Sequence, residues 1–287
     1  MRSPLYLTRE LARRQTHRWQ AWRRWRDGDA ADPAAVKAGE PIPYRCNICG
    51  TGNAASLDAL TREAMSCAHC GSNVRFRSMV YLVTLEVLGA PALLPALRPR
   101  RDIHGLGLSD AEAYAGPLAR KFAYENTYYH QSPRLDITAI DPAREGRYDF
   151  LIASDVFEHV APPVSRAFAN ARRLLKPGGK FIFTVPFEHE GEPLEHFPDL
   201  HDWKVEERAG RWTLTNVTRD GATQTFDDLV FHGGPGSTLE MRVFSRSSVA
   251  RNFLDAGFTR VRYANDTCLP FGIHWSEPWS VPIVAYA

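Results

Sequence analysis

YDFLIASDVFEHV (residues 148–160) and RRLLKPGGKFIFTVP (residues 172–186) decide how this chain folds. The first segment begins as an apolar run and ends in polar residues, which is typical of a buried strand that delivers side chains to the edge of a sheet. The second segment ends a helix at Pro177 and Gly178 and then enters another apolar strand. Strand, helix and strand in this order predict parallel strands joined by a crossover helix.

The same alternation begins near residue 101. DIHGLGL (102–108) is a strand that leads into a glycine-rich turn, and a helix follows it. Second and third strands are predicted near FAYENTY (122–128) and LDIT (135–138). The sequence therefore predicts an α/β fold, and ligands of such folds bind at the carboxyl ends of the strands.

These motifs resemble the class I S-adenosylmethionine (SAM)-dependent methyltransferases, in particular the type 11-like branch whose loop after the fourth strand reads D-V-F-E-H-V. Residues 101–190 carry most of the resemblance, and residues 246–287 resemble the last helix and closing strands of the family. The resemblance implies a Rossmann-like, seven-stranded, mostly parallel sheet. It also implies that SAM lies across the ends of strands one and four.

The resemblance further indicates which residues hold SAM. Gly105 and Gly107 would supply a turn that lets the backbone approach the cofactor, although Leu108 replaces the third small residue of the usual pattern. Glu125 and Asn126 are the candidates for the ribose hydroxyls, and the register favours Asn126. The remaining candidates are Asp136 for the adenine amino group, Ile137 against the adenine ring, and Ser154 with Asp155 at the methionine end.

An insertion at about residues 188–240 is longer than the connection to the last helix requires. Within it, alternating residues from Trp212 onward and a turn at 219–221 predict a β-hairpin lid over the mouth of the active site. Histidines are the candidates for a general base that removes the acceptor proton. His196 and His201 are favoured, His232 is a further candidate, and His159 is either a base or an organiser of the strand-four loop.

Two cysteine pairs precede this domain: Cys46 with Cys49 in CNIC, and Cys67 with Cys70 in CAHC. Each C-x2-C spacing lets two thiolates occupy adjacent corners of a tetrahedron, and two such pairs complete a closed Zn²⁺ site. The alternative is a disulfide or redox pair. Since a closed site leaves no position for substrate, the predicted zinc is structural. Its removal is expected to affect stability or acceptor binding more than SAM binding.

Arginines dominate residues 1–26 and alternate with Trp19, Trp22 and Trp25. This pattern predicts a cationic helix that either packs on the enzyme body or contacts an anionic membrane surface, nucleic acid or another partner. The predicted organisation is a basic helix and linker (1–40), a zinc ribbon (41–75) and a SAM-dependent methyltransferase domain (76–287).

The composition, 44% hydrophobic and 24% charged, excludes disorder over most of the chain. No apolar run approaches the ~20 residues that a membrane span requires, and the arginine-rich start lacks the apolar core of a signal peptide. A cytoplasmic location is therefore predicted, and it also suits free thiolates.

Three functions are open at this level. The favoured one is SAM-dependent O-methylation of a sugar, glycan or small-molecule natural-product hydroxyl, with a lid histidine as base. An RNA methyltransferase that binds nucleic acid through the zinc ribbon and basic N-terminus is the first alternative. A noncatalytic binding module is the second.

Overall fold

The computed structural model describes residues 36–287 apart from Ala38. The predicted cationic helix at residues 1–26 lies outside the described residues, so contact with nucleic acid or a membrane surface through it stays a prediction. Within the described part of the chain, no helix is long and apolar enough to cross a membrane.

The described chain contains sixteen strands and four α-helices. In chain order they are β1 (Ile42–Arg45), β2 (Gly52–Ala55), α1 (Val74–Leu88), β3 (Arg100–Leu108), α2 (Glu112–Lys121), β4 (Phe122–Thr127), β5 (Tyr148–Ser154), α3 (Ser165–Leu174), β6 (Leu175–Thr184), β7 (Phe187–Glu188), β8 (Leu194–Glu195), β9 (Asp202–Arg208), β10 (Arg211–Val217), β11 (Thr223–Phe226), β12 (Phe231–His232), β13 (Thr238–Leu239), β14 (Arg242–Ser245), α4 (Arg246–Asp255), β15 (Arg260–Tyr263) and β16 (Ile283–Tyr286). Short 3-10 helices lie at Leu57–Ala59, Leu94–Ala96, Pro142–Arg144, Phe157–His159, Leu269–Phe271 and Pro278–Ser280.

The central sheet has the order β15-β16-β6-β5-β3-β4, and β16 is antiparallel to both of its neighbours. Its four other strands pair in parallel. This mixed sheet is the predicted Rossmann-like class I methyltransferase architecture. Because β3 and β5 are adjacent and parallel, the loops that follow them open at the same edge of the sheet.

Within the described residues this sheet has six strands, so the prediction of seven is wrong. The missing strand is the segment LDIT, which forms a turn. Asp136 Oδ1 accepts hydrogen bonds from the backbone and the hydroxyl of Thr138 at 2.8 and 2.7 Å. A side chain that satisfies its own backbone in this way competes with the ladder of a sheet.

The helix before β6 also differs from its prediction. It ends at Leu174, and Leu175 already pairs with Tyr148 of β5. Pro177 and Gly178 therefore lie inside the strand segment, and they do not end the helix as predicted. Pairing with a neighbouring strand outweighs the local proline and glycine signal.

Two apolar layers cover the faces of the central sheet. Helices α1 and α2 pack on one face, and α3 and α4 pack on the other. The segment that carries the four cysteines (residues 42–73, the cysteine segment) packs on the same face as α1 and α2. In the second layer, the ring of Phe253 meets the rings of Phe168 and Phe183 edge to face, with centroids 4.8 and 5.2 Å apart. These layers hold the strands, and hence their carboxyl ends, in fixed positions.

The cysteine segment is anchored to the sheet domain by Arg77 of α1, which is fully buried. Its guanidinium donates to the carbonyl of Ser72 at 2.8 Å and to the carbonyl of Gly272 at 2.7 Å. Asn47 in turn donates to the carbonyl of Arg77 at 2.8 Å. One buried cation therefore joins the segment between the cysteines, helix α1 and the C-terminal turn.

Strands β9, β10 and β11 form a separate antiparallel sheet. The hairpin of β10 and β11 has its turn where Thr218 N–H bonds the carbonyl of Ala222, so the predicted hairpin is confirmed. A small apolar core of Phe197, Leu214 and Met241 lies beneath it. This sheet stands over the carboxyl ends of the central strands.

Candidate active site

A cleft of about 1460 Å³ opens at the carboxyl ends of β3 and β5. Its described walls come from the segment between the cysteine pairs, the loops after β3, β4 and β5, the small sheet with the β12–β13 hairpin, and Trp279 near the C-terminus. Pockets for one ligand typically measure ~300 to 1,000 Å³. The cleft therefore has room for two ligands side by side.

Asp155, directly after β5, contacts two arginines that the sequence reasoning did not select. Arg62 Nη2 donates to both carboxylate oxygens at 2.6 and 2.7 Å, and Arg75 Nη1 lies 3.3 Å from Oδ2. Burial opposes ionisation of Asp155, but the charges of Arg62 and Arg75 outweigh it and lower the pKa of this carboxyl. Because Arg62 lies between the two cysteine pairs, the cysteine segment reaches the end of β5.

Glu63 holds both guanidinium groups in place. It contacts Arg62 and accepts hydrogen bonds from Arg75 Nε and Nη2, both at 2.8 Å. Arg75 Nη1 also donates to Ser154 Oγ at 2.8 Å, so the predicted cofactor residue Ser154 is occupied by a protein contact. Arg62 Nε is buried and has no hydrogen-bond partner among the described residues. A buried, unpaired N–H costs about 1–3 kcal/mol, so this donor suits an oxygen of an anionic ligand.

The loop after β3 is held by residues that were predicted to touch the cofactor. Asn126 Oδ1 accepts from the backbone N–H of Asp110 at 2.9 Å, and its Nδ2 donates to the Asp110 carbonyl at 2.9 Å. Gly105 and Gly107 lie inside β3, and the chain turns at Ser109, whose φ is +57°. The prediction that these glycines form the turn is therefore wrong. The side-chain amide of Asn126 is used to hold the loop.

Gly105 and Gly107 instead permit close packing within the sheet. A side chain at Gly105 would overlap the ring of Phe150, and one at Gly107 would overlap the carboxylate of Asp110. That carboxylate is buried and accepts hydrogen bonds from the hydroxyl of Tyr114, at 2.7 Å, and from the hydroxyl of Tyr124. Burial raises the pKa of Asp110 to about 7, while the tyrosine hydrogen bonds and the charge of a nearby arginine oppose the rise.

Asp136 and Ile137 line the cleft beside the loop after β3, as expected for an adenine site. The carbonyl of Ile137 is fixed by Asn170 Nδ2 at 2.8 Å. Glu125 is not brought to the cleft, because Arg144 Nη1 donates to its carboxylate at 2.8 Å. Of the predicted cofactor residues, the cleft thus brings together Asp136, Ile137 and Asp155.

Two of the four predicted histidines, His159 and His232, line the cleft. Their ring centroids lie 4.7 Å apart and their planes are nearly perpendicular. His159 Nδ1 bonds the carbonyl of Leu239 at 2.9 Å, and His232 Nε2 bonds the Glu240 carboxylate at 2.8 Å. Burial lowers the pKa of His159, although its hydrogen bond to Leu239 opposes the shift.

The two histidines favoured as bases lie elsewhere. His201 is exposed, and its backbone N–H bonds the side chain of Asn216 at 2.9 Å. His196 Nε2 bonds the other oxygen of Glu240 at 3.0 Å, behind His232. Sequence spacing could not separate these histidines because they belong to different elements: His196 follows β8, His201 precedes β9, and His232 lies in β12.

Glu158 completes the group at the cleft. Its side chain is 1% exposed, and within the described part of the chain neither carboxylate oxygen has a hydrogen-bond partner. Burial and the nearby charge of Asp155 raise the pKa of Glu158 well above its usual range. Its Oε1 lies 3.8 Å from His159 Nε2.

The four predicted cysteine ligands converge. Cys46 Sγ lies 3.7 Å from Cys70 Sγ, Cys49 Sγ lies 3.6 Å from Cys67 Sγ, and all four sulfurs lie within 4.8 Å of one another. A disulfide requires sulfurs about 2.05 Å apart. Thiolates at the corners of a tetrahedron with Zn–S bonds of ~2.3 Å are separated by about 3.8 Å. The spacing therefore fits a tetrahedral metal better than disulfides.

A family model described as a methyltransferase domain matches residues 49–263. The chain belongs to this methyltransferase family. The match confirms the fold class and the enzyme class predicted for this domain, a SAM-dependent methyltransferase. The narrower assignment to the D-V-F-E-H-V branch stays a prediction.

Curated relatives of this methyltransferase are much longer proteins. Over 109 residues the chain is 34% identical to the hybrid PKS-NRPS synthetase buaA of Petromyces alliaceus, which covers 36% of this chain and 3% of that protein. Over 262 residues it is 26% identical to the highly reducing polyketide synthase PKS6 of Gibberella zeae, which covers 79% of this chain and 10% of that protein. The methyltransferase thus spans a tenth or less of the length of these two relatives.

Solved structures with a similar fold include two methyltransferases. The 1,6-didemethyltoxoflavin-N1-methyltransferase of Burkholderia thailandensis matches with a TM-score of 0.43 and 16% identity, covering 74% of this chain and 77% of that one. The sugar N-methyltransferase KedS8 of Streptoalloteichus sp. matches with a TM-score of 0.42 and 12% identity, covering 74% and 86%.

Proposed function

We propose that this protein transfers the methyl group of SAM to a hydroxyl of a sugar, glycan or other small molecule. The observation that carries the proposal is a single cleft that joins the Asp136 end to the Glu158, His159 and His232 group. Such a cleft can place a methyl donor and an acceptor next to each other. Holding two reactants in line can supply about 7–11 kcal/mol of a reaction barrier.

The residues at the inner end of the cleft fit SAM. Asp136 can accept from the adenine amino group, and Ile137 can pack on the adenine ring. The unpaired Nε of Arg62 suits the carboxylate of the methionine part, since arginine binds carboxylates through charge-assisted hydrogen bonds. Asn126 holds the loop after β3 rather than the ribose, which is our revision of the sequence-based role.

The outer end of the cleft fits a polyhydroxylated acceptor. Aromatic side chains of Trp203, Trp212 and Phe231 line it together with the histidines, whereas Trp279 stacks on the Arg62 guanidinium, with Cζ 5.2 Å from the ring centroid. Aromatic faces can pack on the C–H surface of such a molecule, while the polar groups orient its hydroxyls. The small sheet that carries Trp203 and Trp212, together with the β12–β13 hairpin that carries Phe231, would serve as the lid.

SAM, when bound, supplies a methyl group on a sulfonium: the C–S bond breaks as the acceptor oxygen bonds the methyl carbon, the sulfur keeps the electron pair, and the hydroxyl proton leaves the acceptor. We assign acceptor activation to the group of Glu158, His159 and His232 in place of His196 and His201. His159 donates a hydrogen bond from Nδ1–H to the Leu239 carbonyl, which leaves Nε2, 3.8 Å from Glu158 Oε1, with a free lone pair.

We further propose that Cys46, Cys49, Cys67 and Cys70 hold a structural Zn²⁺. The spacing of their sulfurs supports this, and four thiolates leave no coordination position for substrate. The metal would fix the segment that carries Arg62 and Glu63. Its role in methyl transfer is thus indirect.

Calorimetry with SAM, followed by a labelled-SAM transfer screen, tests the proposed function. The screen should use nucleotide sugars, cell-extract glycans and RNA as acceptors. We expect SAM binding and label in a sugar or glycan fraction, and we expect Asp136→Ala to raise the SAM Kd roughly tenfold. The exposed Asp255→Asn is the matched control. Absence of SAM binding would refute the proposal, and label confined to RNA would refute the acceptor class.

A further inference from the structure

Glu158, His159 and His232 form a cluster that the proposed methyl transfer does not by itself explain. One ligand-type atom from each residue lies within 4.8 Å of the other two. All three residues line the cleft, so the cluster borders the space from which an ion would enter. Two imidazole nitrogens and one carboxylate oxygen are a donor set that suits divalent transition metals.

The hydrogen bonds of the two histidines use one ring nitrogen of each histidine and leave the other one free. His159 Nδ1 donates to the Leu239 carbonyl and His232 Nε2 bonds the Glu240 carboxylate, so each ring keeps one nitrogen for a ligand. Metal-binding histidines usually donate their other ring N–H to a carbonyl or carboxylate in this manner. Both supporting groups lie in one segment, which also bonds the Glu158 carbonyl through Met241 N–H at 2.8 Å.

Glu158 supplies an independent indication. A carboxylate that is 1% exposed ordinarily has hydrogen-bond donors around it, yet both of its oxygens lack a hydrogen-bond partner among the described residues. Burying such a group is costly unless it is paired or coordinates a metal. A cation at the cluster would satisfy both oxygens.

We propose that Glu158, His159 and His232 bind one divalent first-row transition-metal ion at the acceptor end of the cleft. The inference deepens the proposed function and rests on it for its role: a bound cation would orient the acceptor hydroxyl and lower the pKa of that hydroxyl, so that its proton would pass to water in the cleft without a histidine base. Glu240 is then a positioning residue that holds His232. The ion is distinct from any zinc at the cysteines.

The test is Mn²⁺ binding to the purified full chain, followed through loss of the electron paramagnetic resonance signal of free Mn²⁺. Mn²⁺ is chosen because it prefers oxygen and nitrogen ligands and is a poor partner for thiolates. We expect about one ion per chain. Glu158→Gln and His232→Asn should each weaken binding at least tenfold, and Glu240→Gln should weaken it roughly 10- to 100-fold through His232.

His201→Asn is the matched control, because this exposed histidine lies outside the cleft and should leave Mn²⁺ affinity unchanged. His232 is partly exposed, so its variant keeps the test open if Glu158→Gln fails to fold. Absence of stoichiometric Mn²⁺ binding, or equal binding by wild type and His232→Asn, would overturn the inference. SAM calorimetry on the same samples separates this failure from failure of the proposed function.

Discussion

Arg62 is the residue whose position most changes the interpretation of the site. Its guanidinium neutralises Asp155 and leaves Nε unpaired beside the cleft among the described residues. Arg62→Lys keeps a positive charge near Asp155 but removes that donor. Because a hydrogen bond to a charged group contributes about 1.5–3 kcal/mol, we expect the SAM Kd to rise roughly ten- to hundredfold in calorimetry.

The exposed Arg98→Lys is the control for this change. A thermal melt should show that Arg62→Lys still folds, since its ammonium group can reach Asp155. Unchanged SAM affinity in a folded Arg62→Lys protein would remove Arg62 from the cofactor site.

Asp110 gives stability a pH dependence of predictable sign. Its pKa is raised from 3.8 to about 7, so between these values the folded state keeps a proton that the unfolded chain releases. Its stabilisation is present below about pH 4 and is lost as the pH rises toward 7, at up to about 1.4 kcal/mol per pH unit. Asp110→Asn should remove this slope from urea unfolding measured between pH 5 and pH 7.

Other groups titrate in the same interval, so the informative quantity is the difference in slope between wild type and variant. Asp58→Asn, at an exposed carboxyl, should show the wild-type slope. Equal slopes in wild type and Asp110→Asn would mean that Asp110 is ionised in the folded protein throughout the interval.

Individual residues show which parts of the site could be predicted from the sequence and which could not. Asp155 could be selected because it follows an apolar strand, and Asp136 because LDIT matches the position of the adenine-binding residue in the family that the sequence resembles. Arg62 could not, because its partner Asp155 is 93 positions away and no local pattern signals the pair. Asn126 was assigned from its position at a strand end, but its two hydrogen bonds to the Asp110 backbone depend on a turn that the sequence does not reveal.

At the scale of elements, long periodic patterns predicted the secondary structure correctly, whereas short apolar segments did not. The β10–β11 hairpin follows from the alternating residues that begin at Trp212 and from the turn at 219–221. LDIT is too short to form a strand once Asp136 bonds its own turn. The position of the cysteine segment against the sheet depends on the burial of Arg77, a tertiary contact that composition cannot indicate.

Removal of the proposed zinc from the cysteine segment should weaken SAM binding. Arg62 and Glu63 lie between the cysteine pairs and contact the end of β5, so loss of the proposed zinc should displace both. We therefore expect a zinc-selective chelator to lower both the Tm and SAM affinity, whereas the expectation from sequence is that SAM binding is affected less than stability or acceptor binding. Added Zn²⁺ should restore both.

Thermal melts and SAM calorimetry, each with and without chelator, check this expectation. Cys67→Ser should reproduce the effect of the chelator without any chelator present. Full SAM affinity in a folded, zinc-free protein would show that Arg62 is held by the sheet domain alone.

On the scale of the whole molecule, parts of the chain that are distant in sequence enclose one cleft. The cysteine segment, the loops after β3, β4 and β5, the small sheet and Trp279 all contribute described walls. A ligand that touches several of them should couple them, since binding to the folded state alone stabilises the entire fold. At a SAM concentration of 100 Kd this amounts to about 2.7 kcal/mol, or a rise in Tm of roughly 5–10 °C.

Hydrogen exchange can show where that stabilisation is distributed. With SAM alone, we expect slower exchange in three separate segments, residues 60–64, 108–111 and 136–139, because the proposed SAM contacts fall in the first and third, and Leu108 and Ser109 of the second line the same cleft. Residues 203–217 of the small sheet should respond only when an acceptor is added, and residues 250–255 of α4 serve as the internal control. Protection limited to 108–111 and 136–139 would mean that the cysteine segment borders the cleft without contacting SAM. Protection of 203–217 by SAM alone would mean that the small sheet closes on the methyl donor rather than on the acceptor.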